Sequence, residues 1–140
     1  MTTRIIINPP AENERIIINT GRQGAPGEAG VAGYVAGVIL GGHRCVSLHD
    51  DGNVYYTQPD TFHLFAGITE HAANIGADVM VRDAGKMTDS SFSFTPDSPV
   101  FCGADGVLTQ TEPVSGDLLM VGWAVSATVM MVNVQPVIGL

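Results

Sequence analysis

Two Asp-Gly pairs, Asp51-Gly52 and Asp105-Gly106, each stand between short β-prone runs, and that layout leaves little room for a helical fold. Cys45-Val-Ser-Leu48 leads into the first pair and Val54-Tyr-Tyr-Thr57 leaves it. Pro99-Val-Phe-Cys102 and Val107-Leu-Thr-Gln110 flank the second in the same way. A tight hairpin turn needs positive φ, which glycine adopts without steric cost, so both stretches read as β-hairpins. The likeness continues downstream. Ala66-Gly-Ile-Thr69 precedes Asp78-Val-Met-Val-Arg82 as Val121-Gly-Trp-Ala124 precedes Val129-Met-Met-Val-Asn133, at an offset near 54 residues that then shortens. The chain therefore reads as a weak internal duplication, each half built as hairpin, connector, strand, short turn and strand. No window of a dozen residues keeps apolar spacing at 3, 4 and 7 without glycine, and only residues 60–74 have room for a helical turn. The expectation is an all-β domain, a sandwich, jelly roll or small barrel, with regular helix under about a tenth of the chain.

Ahead of this body lies a different kind of sequence. Arg4-Ile-Ile-Ile-Asn8 and Arg15-Ile-Ile-Ile-Asn19 are separated by a Pro-Pro pair, which rules out helix at its start, and glycine then recurs at every third position from Gly21 to Gly33. Four triplets are too few for a self-standing collagen helix, so the glycine-rich stretch reads as an open tether, with a short three-chain stem as the alternative. Three consecutive isoleucines expose an apolar face whichever way a strand is turned. Ile5, Ile6, Ile7, Ile16, Ile17 and Ile18 must therefore be covered, and they are expected to be partner-binding residues that pair as strands with a neighbouring subunit or a partner protein, with the body's own core as the alternative. The resulting division is an extended arm at residues 1–33 and a β domain at residues 34–140.

At 140 residues the chain is one domain by length and buries roughly two-thirds of its unfolded surface. Acidic groups outnumber basic ones by 14 to 6, and residues 45–140 hold eleven acidic against two basic. Such a body repels polyanions, so nucleic acid is not an expected partner. The apolar span at residues 118–134 is interrupted by Ser126, Thr128 and Asn133 and reads as two core strands rather than a membrane segment. Cys45 and Cys102 lack C-x-x-C spacing and read as buried free thiols; with no leader pattern and no glycosylation acceptor, cytosolic synthesis is expected. An apolar content of 45% against 14% charge implies a surface covered in an oligomer, and composition leaves dimer and trimer both open.

Catalysis needs converging groups, and none is legible. Gly85-Lys86 lacks the glycine pattern of a phosphate loop. His43, Cys45, His49, Asp50 and Asp51 match no zinc spacing, and Asp50-Asp51 reads as turn chemistry rather than an acid–base pair. His63 and His71 read as surface histidines, Ser90-Ser91 and Ser98 lack a nucleophile elbow, and Phe92, Phe94 and Trp123 read as core or interface aromatics. No enzymatic activity, cofactor or metal is expected.

The segments Val81-Arg-Asp-Ala-Gly-Lys-Met-Thr-Asp89, Ser91-Phe-Ser-Phe-Thr-Pro96, residues 99–113 and Val121-Gly-Trp-Ala-Val-Ser-Ala-Thr128 together resemble the capsid-cementing (decoration) proteins of tailed bacteriophages. The resemblance covers about residues 34–140 and rests on turn and strand signatures. It implies a jelly roll or related β-sandwich that pairs as a homodimer on the outer face of an icosahedral head and clamps neighbouring major capsid protein subunits. It implies no catalytic residue, and it makes the capsid, beside a neighbouring copy, the expected partner of the arm isoleucines. The alternative is a tail-fibre or receptor-binding head carried on a short trimeric stem.

Overall fold

A computed structural model describes residues 30–140, and the six arm isoleucines, Ile5, Ile6, Ile7, Ile16, Ile17 and Ile18, lie outside the described residues. The described chain is all-β: its only helical pieces are two 3-10 turns, Pro59–Leu64 and Ala104–Gly106. Twelve strands follow in order. They are β1 (Val31–Ala36), β2 (Cys45–Leu48), β3 (Asn53–Tyr56), β4 (Phe65–Thr69), β5 (Asp78–Arg82), β6 (Ala84–Thr88), β7 (Ser98–Cys102), β8 (Leu108–Thr109), β9 (Asp117–Leu118), β10 (Met120–Ser126), β11 (Val129–Asn133) and β12 (Ile138–Gly139). Strand β1 begins three residues ahead of the expected boundary, because Val31 to Gly33 already pair with Arg82, Val81 and Met80 of β5.

The first five strands close into a barrel in the order β1-β3-β2-β4-β5, and β6-β11-β10-β7-β8 form an open sheet beside it. The all-β class matches the expectation, and its layout among the described residues is this barrel against a sheet. Strands β9 and β12 pair separately and tie down the C-terminal end.

The expected duplication is present in the pairing itself. Both halves carry the same frame, with β1, β2, β3, β4 and β5 corresponding to β6, β7, β8, β10 and β11. Cys45, Val46 and Ser47 meet Ile68, Gly67 and Phe65, just as Pro99, Val100 and Phe101 meet Trp123, Gly122 and Met120. Each register skips one residue, Ala66 in the first half and Val121 in the second, so the same β-bulge recurs at the same place. A glycine follows it both times. A Cβ on Gly67 would stand 2.5 Å from the Arg82 carbonyl oxygen, and one on Gly122 would stand 2.2 Å from that of Met131, so each glycine lets the next strand approach.

The halves differ in closure. In the first, β1 reaches β3 in parallel, Val35 opposite Asn53 and Ala36 opposite Val54. In the second, the corresponding residues are Thr88 and Asp89 on one side and Val107 and Leu108 on the other, and they do not pair. The barrel fills its interior with its own side chains, Ala36, Leu40, Val46, Val54, Val79 and Val81. The open sheet covers its concave face with the barrel's outer wall: Cys45, Ile68 and Phe62 pack on Val100, Cys102, Val121, Ala124 and Met130. Alternation along β2 explains this, since Val46 points into the barrel while its neighbour Cys45 points out to the sheet.

Candidate partner-binding surfaces

Two surfaces stand out, a cleft at the unclosed seam and the outer face of the open sheet. The cleft has a volume of about 470 Å³ and is lined by residues 42–44, 91–94 and 107–110. Its barrel side is held by Thr69, whose hydroxyl donates to the Gly41 carbonyl at 2.8 Å and accepts from the Arg44 N–H at 3.0 Å. That clamp places His43 in the left-handed region at φ 58°. The Arg44 guanidinium lies 4.3 Å from the Tyr56 ring centroid and donates to the Asp105 carbonyl oxygen at 2.5 Å, which anchors barrel to sheet.

On the other side of the cleft, Phe92 meets His43 edge-on at 5.0 Å and Phe94 at 4.8 Å. Gln110 bridges across with its amide, accepting from the Thr95 N–H at 2.7 Å and donating to the Thr95 carbonyl at 3.0 Å. A side-chain amide here makes the two bonds that a neighbouring strand's peptide would make.

His43, Asp89 and Ser91 gather at one end, and their order decides what they can do. The Asp89 carboxylate accepts from both the hydroxyl and the N–H of Ser91, and it lies 3.4 Å from Nε2 of His43. Serine catalysis needs the imidazole between hydroxyl and carboxylate, and here the carboxylate is in the middle. Its chemistry is that of a turn: the Ser91 bonds hold the Asp89 carboxyl below its usual range. The His43 Nδ1 is buried and has no hydrogen-bond partner among the described residues.

The outer face of the open sheet carries a cross-strand row, Pro99 on β7, Trp123 on β10, Met131 on β11 and Lys86 on β6. Trp123 and Met131 are each 42% exposed, and Val125 is 56% exposed. The indole N–H of Trp123 donates to Asp97 at 3.3 Å, which fixes the ring's orientation while leaving its face free.

The remaining residues singled out by sequence are placed as structure. Asp51 accepts from the Tyr55 hydroxyl and the Asn53 N–H in the β2–β3 turn, which lowers its carboxyl and raises the Tyr55 phenol. Nε2 of His71 accepts from the Met80 N–H at 3.2 Å. Cys45 and Cys102 are both buried and free, and burial, with Cys102 alongside, pushes the Cys45 thiol well up. Among the described residues no three histidine, cysteine or carboxylate side chains come together as a metal site, and no helix is long and apolar enough to cross a membrane. Phe92 and Phe94 sit on an irregular segment lining the cleft, not on a strand face.

In comparison with known proteins, no family model and no curated protein sequence matches the chain.

Proposed function

We propose that this is a non-enzymatic virion structural protein, which binds the outer face of an icosahedral phage head as a homodimer and cements neighbouring major capsid protein subunits. The observation that carries this reading is the outer face of the open sheet. Exposed Trp123 and Met131, with half-buried Pro99 beside them and Val125 nearby, form an apolar row on one sheet face of a body with net acidic charge, and such surfaces mark protein contacts. The resemblance to phage decoration proteins supplies the partner, and the isoleucine-bearing arm supplies reach. A cement acts by adding its binding free energy to the assembled lattice, and many weak copies suffice through avidity. The trimeric-stem reading loses ground at its last triplet, because Gly30 has φ +85° and Gly33 lies within strand β1, neither of which suits a triple helix.

The test is decoration of purified phage heads stripped of their own cement. Saturation at hundreds of copies per head, lost on Trp123→Asp while the isolated fold keeps its circular dichroism, is the expected result. A handful of copies found only at tails would replace this reading with the receptor-binding one.

A further inference from the structure

The chain builds the same five-strand frame twice and closes it once, which gives the seam cleft a definite character. In the barrel the gap between the β1 and β3 positions is bridged by two residue pairs, Val35 with Asn53 and Ala36 with Val54. Their counterparts, Thr88 and Asp89 against Val107 and Leu108, do not pair, and the segment that follows, residues 91–94, faces residues 107–110 across the cleft instead. The second frame is thus one strand short of closure, at the free edge of β8.

We propose that this groove is the docking site for the inner isoleucine run of the chain's own arm, residues 15–19, laid in as an added strand beside β8. Alternation would turn Ile16 and Ile18 toward Phe92, Phe94 and Leu108, which already line the groove. At Thr95 the two sides of the groove are already bridged by the Gln110 amide, a single peptide-sized group, which sets the width of the gap at about one strand. Reach decides between this segment and a second copy. The arm joins the body at Gly30, whose carbonyl accepts from the Asp83 N–H at 2.7 Å, at the start of β6. The cleft begins past the far end of β6, five residues away or roughly 17 Å. Residues 20–29 span up to about 33 Å, so the inner run reaches the groove and is held near it at an effective concentration in the millimolar range. The outer run, Ile5 to Ile7, is then the part of the arm left for a neighbouring subunit. This assignment does not depend on the capsid reading and is tested on the isolated chain.

The experiment compares two cysteine pairs in the full chain, Ile17→Cys with Val107→Cys and Ile6→Cys with Val107→Cys, under mild oxidation at low micromolar concentration. Cys45 and Cys102 are buried and common to both. An arm that moves freely would favour the inner pair by only about 2.5-fold, from the lengths of 13 and 24 residues back to Gly30. Docking predicts at least a tenfold faster crosslink for the inner pair, within one chain. A ratio near that of the free arm overturns the proposal, and a crosslink between two chains overturns it in favour of arm exchange. Hydrogen exchange of unsubstituted protein against Ile16→Asp with Ile18→Asp gives an independent reading: protection at residues 107–110 falls at least tenfold if the run docks, and unchanged protection refutes it.

Discussion

Replacing Gly52 and Gly106 with alanine, one at a time, tests how the two halves are joined. The two glycines occupy corresponding hairpin turns, with φ of 85° and 70°. Alanine at positive φ costs about 1–2 kcal/mol, partly offset by reduced unfolded-state entropy of about 0.4–1 kcal/mol. At Gly52 nothing lies within 4 Å of the added methyl, so the whole effect is about 1 kcal/mol. At Gly106 the methyl would stand 2.2 Å from the Cys45 carbonyl oxygen and 3.1 Å from its nitrogen, so β2 or the turn must shift. Overpacking of that kind adds about 1–3 kcal/mol. It also threatens the Gly106 N–H bond to the Thr57 carbonyl at 2.8 Å, worth about 1 kcal/mol. Gly106→Ala should thus exceed Gly52→Ala by about 2–3 kcal/mol, roughly 1–2 M in urea midpoint for a slope near 1.5 kcal/mol/M. Equilibrium urea unfolding followed by Trp123 fluorescence measures both. Equal midpoints would show that the barrel–sheet junction yields without cost, and the account of a sheet packed tightly on the barrel's outer wall would be wrong.

Arg82 is 4% exposed and donates to Glu70 at 2.5 Å and to the Ala84 carbonyl at 3.0 Å, so Glu70→Gln should cost about 2–3 kcal/mol, less than a fully buried pair because Glu70 is partly exposed; thermal unfolding checks it. Burial keeps the Cys45 thiol protonated, so alkylation of the folded protein at pH 8 should leave it unmodified by mass spectrometry, with reaction only on unfolding. The same raised value means that stability is intact below the unfolded thiol's ordinary 9.0 and declines as pH rises above it. Asp89 has the opposite sign: its lowered carboxyl contributes stability above the ordinary carboxylate range and loses it as pH falls through the folded value, so acid should first release amide protection at Ser91.

The hairpins were legible because each is local: an Asp-Gly turn and its flanking runs lie within a dozen residues. The duplication was legible for the same reason, and the pairing register bears it out down to the bulge. Closure of the barrel was not, since it depends on a parallel contact between β1 and β3 that no local pattern announces. No local pattern accounts for Gly67 and Gly122; the close approach of Arg82 and Met131 does. The cleft drew no notice because its walls come from three distant stretches, and His43, weighed as a metal ligand with Cys45, instead turns toward Asp89 and Phe92 while Cys45 points into the sheet core. Alternation of Trp123 with Gly122 and Ala124 places it on a sheet face but does not say which face is open.

A frame written twice gives every strand position a counterpart within the same molecule, and each pair records what one backbone niche tolerates. Where the two copies agree, as at Gly67 and Gly122 or Val46 and Val100, the niche is narrow, and exchange screens should return almost nothing else. At two divergent pairs, Ala66 with Val121 and Val54 with Leu108, the larger residue belongs to the unclosed half and the smaller to the barrel. Ile68 and Trp123 diverge most. One is sealed between barrel and sheet, the other faces outward, and at that position selection has been free to trade internal packing for contact with something else.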